Sequence, residues 1–135
     1  MPTVRWFNLI SILLVLLAGC SLRATVVDRS EFSTEIKNIH LTGFPAIRIY
    51  HGGAIRELPL KSLRMIDIDG TETLTHENEF FLSATIELKD GRRIASTGKR
   101  GDNRSFVSVN NTLAGESGGG YYSLSLDNLR QLIIR

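Results

Sequence analysis

Residues 82–94 read LSATIELKDGRRI, and apolar and polar side chains alternate along the first seven of them. A period of two is typical of a β-strand with one buried face, because successive side chains point to opposite sides of a sheet. Asp90-Gly91 follows, and the tolerance of glycine for positive φ suits the tight turn of a hairpin. The pattern therefore predicts a hairpin whose returning strand, Arg92 to Thr97, carries Ile94 inward.

Shorter strand signals lie on both sides of this hairpin. Ala46 to Tyr50 alternates with isoleucine on one face and runs into Gly52-Gly53, which predicts a strand followed by a turn. Ser105 to Val109 predicts another short strand, after a polar loop over 98–104. The glycine-rich stretch 110–120 is expected to be a loop, because Gly118-Gly119-Gly120 is too flexible to hold structure of its own.

The segment before these strands carries a mixed signal. Phe32, Ile36 and Ile39 recur at helical spacing, whereas Ile39 and Leu41 alternate as a strand would. The run leads into Gly43-Phe44-Pro45, which favours a strand.

An internal repeat joins two distant parts of the chain. Residues 52–68 and, 66 residues later, residues 118–134 share Gly-Gly, Leu-x-Leu and Leu-Arg at the same positions. Each copy predicts a strand, a tight or 3₁₀ turn at Lys61-Ser62 or Asp127-Asn128, and a second strand. The copies could be a duplicated recognition element, but strand–turn–strand units of small β folds also converge on such patterns, and the second interpretation is favoured.

These signals predict an all-β fold, a small antiparallel meander that closes as a barrel or stacks as a sandwich and follows an N-terminal signal helix. The succession of a strand, an Asp-Gly hairpin and a Leu-x-Leu-x-x-Leu run into a last strand resembles SH3-like barrels.

The start of the chain has the character of a secretion signal. Arg5 precedes an almost wholly apolar stretch from Trp6 to Gly19, which is shorter than the roughly 20 residues that a membrane-spanning helix needs. The stretch ends in Leu17-Ala18-Gly19-Cys20, which resembles the lipobox of bacterial lipoproteins.

The lipobox resemblance implies a processing pathway. A diacylglyceryl group would be attached to the Cys20 thiol, the chain would be cut between Gly19 and Cys20, and the new amine would usually be acylated. Two or more acyl chains give stable anchoring without a transmembrane helix. In a Gram-negative cell, Ser21 after the cysteine would go with sorting to the outer membrane, facing the periplasm. The implied organisation is a signal peptide over 1–19, the lipidated cysteine and a tether over 20–30, and a β domain over 31–135.

Composition narrows the classes of function. The chain has 135 residues, and its 16 basic and 14 acidic residues become 15 and 14 once Arg5 is removed with the leader. This balance lacks the dense basic surface of a nucleic-acid-binding protein, so no nucleic-acid partner is expected. A single cysteine, Cys20, excludes an internal disulfide.

Few residue patterns point to chemistry. No Gly-x-Ser-x-Gly elbow is present, and no catalytic residue or cofactor is assigned, so the protein is not expected to be an enzyme. Asp67-Ile68-Asp69-Gly70-Thr71 opens like a calcium loop, but its glycine comes too early and Asn78 stands where a glutamate is required. No metal ligands are assigned either, although three histidines and nearby acids could assemble a zinc site in space: His40, His51, His76, Asp69, Glu77 and Glu79.

The prediction is therefore a lipid-anchored, non-enzymatic binding or structural module that contacts the membrane through its anchor and another envelope protein through its β domain. Phe80-Phe81 and Tyr121-Tyr122 each place aromatic rings on both faces of a strand, so one ring of each pair is expected in the core and the other at a contact surface. The alternative is a ligand- or metal-binding envelope lipoprotein that uses the histidines.

Overall fold

The computed structural model describes residues 21–94 and 105–135. The signal helix, Cys20, the end of the returning hairpin strand and the loop predicted at 98–104 lie outside the described residues. The described chain is all-β, with a single antiparallel sheet that forms a half-barrel.

The described residues form eleven strands and two short 3₁₀ turns. The strands are β1 (Arg23–Asp28), β2 (Ser33–Leu41), β3 (Ile47–His51), β4 (Ala54–Leu58), β5 (Leu63–His76), β6 (Glu79–Leu88), β7 (Arg93–Ile94), β8 (Ser105–Ser108), β9 (Thr112–Ser117), β10 (Gly120–Ser125) and β11 (Leu129–Ile134). The 3₁₀ turns are Leu60–Ser62 and Leu126–Asn128. The spatial order is β10-β9-β2-β1-β11-β5-β6-β8-β3-β4, and β7 pairs with β6.

The hairpin predicted from residues 82–94 is confirmed. Ile86 of β6 pairs with Ile94 of β7, and Ile94 packs partly buried against the core. The turn is a three-residue loop in which Gly91 has φ +87° and the Leu88 amide bonds to the Arg92 carbonyl at 2.8 Å. Glycine adopts this left-handed conformation without the steric cost that a Cβ would add.

The ambiguous run around residue 36 is a strand with a bulge. Asn38 has φ +53°, and the pairing of β2 with β9 shifts register between Lys37 and His40. A bulge adds one residue to the period of two, which places Ile36 and Ile39 together in the core despite their spacing of three. Phe32 is 69% exposed in the preceding turn, so it is not part of that face.

Two segments differ from their sequence-based predictions. Residues 23–28, expected within a tether, form β1, which lies between β2 and β11 with Ala24 and Val26 fully buried. Residues 112–117, expected within a loop, form β9, which pairs with β2 and β10. Burial of β9 against neighbouring strands supplies a stabilisation that its weak local β-propensity does not reveal, whereas Thr25-Val26-Val27 of β1 has the β-branched composition of a strand.

The internal repeat corresponds to two similar structural units. One is β4, the 3₁₀ turn Leu60–Ser62 and β5, and the other is β10, the 3₁₀ turn Leu126–Asn128 and β11. The glycines before each unit form hairpin turns, so Gly118 (φ +58°) and Gly119 (φ +81°) hold a defined structure, contrary to the predicted flexible loop.

The two units are related by a local two-fold axis in the middle of the sheet. β5 pairs antiparallel with β11, and Ile66 stands opposite Leu132, its counterpart in the repeat. The same order of five strands extends outward on each side of this junction, ending in β4 on one side and β10 on the other. The buried apolar side chains of both halves form one continuous core.

Candidate interaction surface

In the part of the chain that the structure describes, the half-barrel is open, and β4 and β10 form its two edges. An edge strand presents backbone N–H and C=O groups that lack a neighbour in the sheet, and another extended segment can pair with them. β4 and β10 occupy equivalent positions in the two copies of the repeat. The residues in which they differ therefore show which edge is better suited to binding.

The geometry of β10 follows from its hairpin with β9. Gly118 and Gly119 form a two-residue turn that Ser117 and Gly120 close. The closing pair of such a hairpin exchanges hydrogen bonds, and hydrogen-bonded pairs then alternate along the ladder. The N–H and C=O groups of Tyr121 and Ser123 therefore point away from β9, toward the open edge.

The two edges differ in charge. β10 has the sequence GYYSLS and carries no charged residue, proline or bulge, whereas the central residues of β4 include Arg56 and Glu57. Charges on an edge strand oppose pairing with another chain, because they would have to be desolvated. Of the two edges, β10 is the one that lacks this protection.

The aromatic pair on β10 divides between its two faces, as predicted. Tyr121 is 72% exposed, whereas Tyr122 packs half-buried against the core. Burial, with the nearby negative charge of Asp28, raises the pKa of the Tyr122 phenol. The second pair behaves in the same way, since Phe81 is fully buried and Phe80 is 38% exposed.

A polar cluster ties the β4 edge to the rest of the sheet. Arg48 on β3 donates to Glu79 at 3.0 Å and to Glu57 at 3.1 Å, and its guanidinium lies 4.8 Å from the centre of the Phe44 ring. Partial burial favours the neutral form of Glu79, but the hydrogen bonds from Arg48 and Ser108 outweigh it, so the pKa of Glu79 lies below its ordinary value.

The histidines considered for a metal site do not come together. His40 contacts the Asn38 carbonyl at 2.9 Å, the His76 ring lies tilted against the Tyr50 ring with their centres 5.2 Å apart, and His51 lies beside the β3–β4 turn. Burial and the charge of Arg56 lower the pKa of His51. Within residues 21–94 and 105–135, no three His, Cys, Asp or Glu side chains are arranged to hold a metal ion.

The acidic residues considered for a metal site make contacts that belong to the fold. Glu77 lies in the two-residue turn between β5 and β6, so it does not share a strand face with Glu79. Asp69 lies in a bulge of β5, where it accepts hydrogen bonds from the Thr71 amide at 2.9 Å and from the hydroxyl of Ser83. Ser83 also accepts from the Glu72 amide at 3.0 Å, so this buried hydroxyl holds the bulge in place.

Sequence reasoning found the aromatic residues of β10 but not the open edge on which they lie. An uncharged run such as GYYSLS also occurs in central strands, and the order of strands is what shows that no described strand pairs with the outer side of β10. Among the described residues, no helix has the length and apolar character required to span a bilayer.

Comparisons with known proteins give no relative. No protein-family model matches the chain, and no curated protein or solved structure is significantly similar to it.

Proposed function

We propose that this protein is a membrane-anchored bacterial lipoprotein whose β domain is a non-enzymatic binding module of the cell envelope. Its anchor would be the lipidated Cys20, produced by cleavage after Gly19, and in a Gram-negative cell it would lie in the outer membrane facing the periplasm. The module would bind an extended segment of another envelope protein along β10.

One observation carries the binding role, namely an edge strand that is uncharged and open. The outward backbone groups of Tyr121 and Ser123 offer hydrogen bonds to an incoming strand, and the exposed Tyr121 ring offers apolar contact area beside them. Aromatic residues with one apolar face and one polar end are common at protein interfaces. Strand addition obtains its affinity from main-chain hydrogen bonds, so it needs no charged side chains on the edge strand, and β10 has none.

The anchor is tested by the intact mass of the mature protein from membrane fractions, for the wild type and Cys20→Ser. A chain that begins at Cys20 and carries the mass of a diacylglyceryl group, absent from the variant, supports the anchor. An uncleaved or unmodified Cys20 contradicts it.

The β10 edge is tested by a photo-crosslinking residue at Tyr121 or Ser123 of the full, lipidated protein in its native membranes. Strand pairing predicts adducts from both positions to alternate residues of one segment of one envelope protein. Adducts between two copies of the chain, or adducts scattered over many proteins, would overturn the proposed partner.

A matched pair of variants separates the two edges of the sheet. With the crosslinking residue at Ser123, we expect Tyr121→Lys to reduce adduct yield about tenfold, corresponding to about 1.4 kcal/mol, because it puts an unpaired charge at the pairing edge. Ile55→Lys, at the equivalent position of β4, should leave the yield unchanged. Equal losses from both variants would contradict a specific role for β10.

A further inference from the structure

The register of the central strands shows which strand ends lie beside the start of β1, the strand that follows Cys20 in the sequence. Ala24 of β1 lies beside Ile134 of β11, Ile133 lies beside Met65 of β5, and Leu63 lies beside Leu88 of β6. The start of β1, the end of β11, the start of β5 and the end of β6 therefore meet at one end of the sheet. We call this the anchor end.

The anchor end collects basic side chains from distant parts of the sequence. Lys61 lies in the 3₁₀ turn before β5, and the Lys89 amide bonds to the Ser62 carbonyl at 3.0 Å. Lys37 of β2 stands opposite Arg23 of β1. Besides Arg64, Arg92 and Arg93, which pair with carboxylates, the exposed basic residues of the anchor end are Arg23, Lys37, Lys61, Lys89 and Arg135.

Most of these cations are free to contact an external anion. Within residues 21–94 and 105–135, the side chains of Arg23, Lys37, Lys61 and Lys89 form no ion pair. The nearby carboxylates have other partners. Asp90 pairs with Arg92 at 2.6 Å, and Glu87 pairs with Arg64 at 3.3 Å. Glu35 accepts from Thr25 at 2.6 Å and lies 3.6 Å from Arg135, and Glu116 accepts from Asn38 at 3.1 Å.

The opposite end of the same strands has the opposite charge. Asp28 ends β1, Asp127 precedes β11, and Asp69 lies in the bulge of β5, beyond the part that pairs with β11. Asp67 and Asp69 line an open cleft with Arg29 and Arg130, and Arg130 is itself paired with Glu31 at 3.0 Å. Charge is therefore separated along the strands, with the basic groups at the anchor end.

The link between Cys20 and the domain is short. Only Ser21 and Leu22 separate Cys20 from β1, and the Leu22 carbonyl already accepts a hydrogen bond from the Ile39 amide at 3.2 Å. Three extended steps of the chain span about 10 Å, so the Cα atom of Arg23 cannot lie farther than this from the Cα atom of Cys20. A longer tether would have allowed the domain to move away from the membrane.

We infer that the anchor end rests on the lipid headgroups, where Arg23, Lys37, Lys61 and Lys89 contact anionic phosphates. This inference rests on the lipid anchor proposed above. Basic residues near an anionic membrane surface add to the attraction of a lipid chain. The turn Gly118–Gly119 lines a cleft with Arg23 and Arg135, so β10 begins at the membrane. Its partner would bind close to the membrane surface.

The test uses the full lipidated protein in vesicles of phosphatidylethanolamine and phosphatidylglycerol. Because lipidation consumes the only native thiol, a fluorophore can be placed at Ser117→Cys, beside the cleft, or at Thr75→Cys, near the far end of β5. A headgroup quencher should quench the label at 117 several-fold more than the label at 75. Equal quenching at the two sites, with the lipid on Cys20 confirmed by mass, would overturn the inference and leave the anchor intact.

A charge-matched pair of variants tests the basic side chains. Lys61→Gln with Lys89→Gln should lower the quenching at 117 on these vesicles but not on phosphatidylcholine vesicles. Arg29→Gln with Arg130→Gln, which removes the same charge from the opposite end, should have no effect on either. If both double variants behave alike, the headgroup contact at the anchor end is contradicted.

Discussion

At the scale of single residues, Gly115 has the tightest surroundings among the glycines of the described chain. It lies in β9 where β2 passes closest, and an added Cβ would meet the Ile36 side chain and lie 2.7 Å from the Lys37 carbonyl oxygen. A backbone oxygen cannot move aside as the end of a flexible side chain can. The bulge that brings Ile36 and Ile39 together therefore depends on a residue without a side chain on the neighbouring strand.

We expect Gly115→Ala to lower the free energy of unfolding by about 1–3 kcal/mol, the usual cost of forcing extra atoms into a packed core. Urea denaturation measures the change. Gly120→Ala is the control, because an added Cβ there lies 3.7 Å from its nearest neighbour, the Ser117 oxygen. Similar losses in the two variants would show that the close approach of β2 is not the cause.

At the scale of elements, the polar cluster around Arg48 joins strands that backbone pairing alone leaves loosely connected. Among the described residues, β8 pairs with β3 through two residue pairs, and the backbone of β4 pairs with β3 alone. Arg48 on β3 bridges Glu57 on β4 and Glu79 at the start of β6, and Ser108 of β8 also bonds to Glu79. The cluster thus supports the β4 edge, whereas β10 has no equivalent set of charges on its own strand.

This cluster predicts a dependence of stability on acid. Because the folded pKa of Glu79 lies below its ordinary value of 4.5, its stabilisation is present above that pH and is lost as the pH falls through the folded pKa. Urea denaturation of Glu79→Gln should show lower stability than the wild type at neutral pH and a smaller decline below pH 4.5. Parallel pH profiles for the two proteins would contradict this assignment.

At the scale of the whole molecule, two similar five-strand halves share one core. Their junction is the pairing of β5 with β11, where Ile66 and Leu132 are both buried on the local two-fold axis. The first and last described strands, β1 and β11, pair within the same half, while the other half is inserted between β2 and β9. Neither half can therefore separate from the other without losing buried apolar contacts at the junction.

We expect Leu132→Ala to lower the free energy of unfolding by about 2–5 kcal/mol, because it leaves a cavity at the junction. Both halves should unfold in one transition, since they share the core. Hydrogen exchange followed by mass spectrometry measures this, and peptides from β3 and β9 should lose protection at the same urea concentration. Loss of protection in one half before the other would show that the halves are independent units.

The sequence alone determined the elements whose patterns are local. Alternation in residues 82–88 with Asp90-Gly91 identified the central hairpin, and the repeat of 52–68 in 118–134 identified both strand–3₁₀–strand units. The division of Phe80-Phe81 and Tyr121-Tyr122 between the core and the surface followed from the period of a strand. The lipobox at Leu17-Ala18-Gly19-Cys20 is a local pattern too, and it stays a prediction, as does the resemblance to SH3-like barrels.

Tertiary structure alone decided which strands are neighbours, and the features proposed for function depend on that order. β9 is a strand because it is buried between β2 and β10, and its sequence TLAGES carries no local pattern that reveals this. The same pairing leaves β10 open at the edge and gathers Arg23, Lys37, Lys61 and Lys89 at one end. Side-chain periodicity is a property of one strand, whereas edges and charged ends are properties of the register between strands.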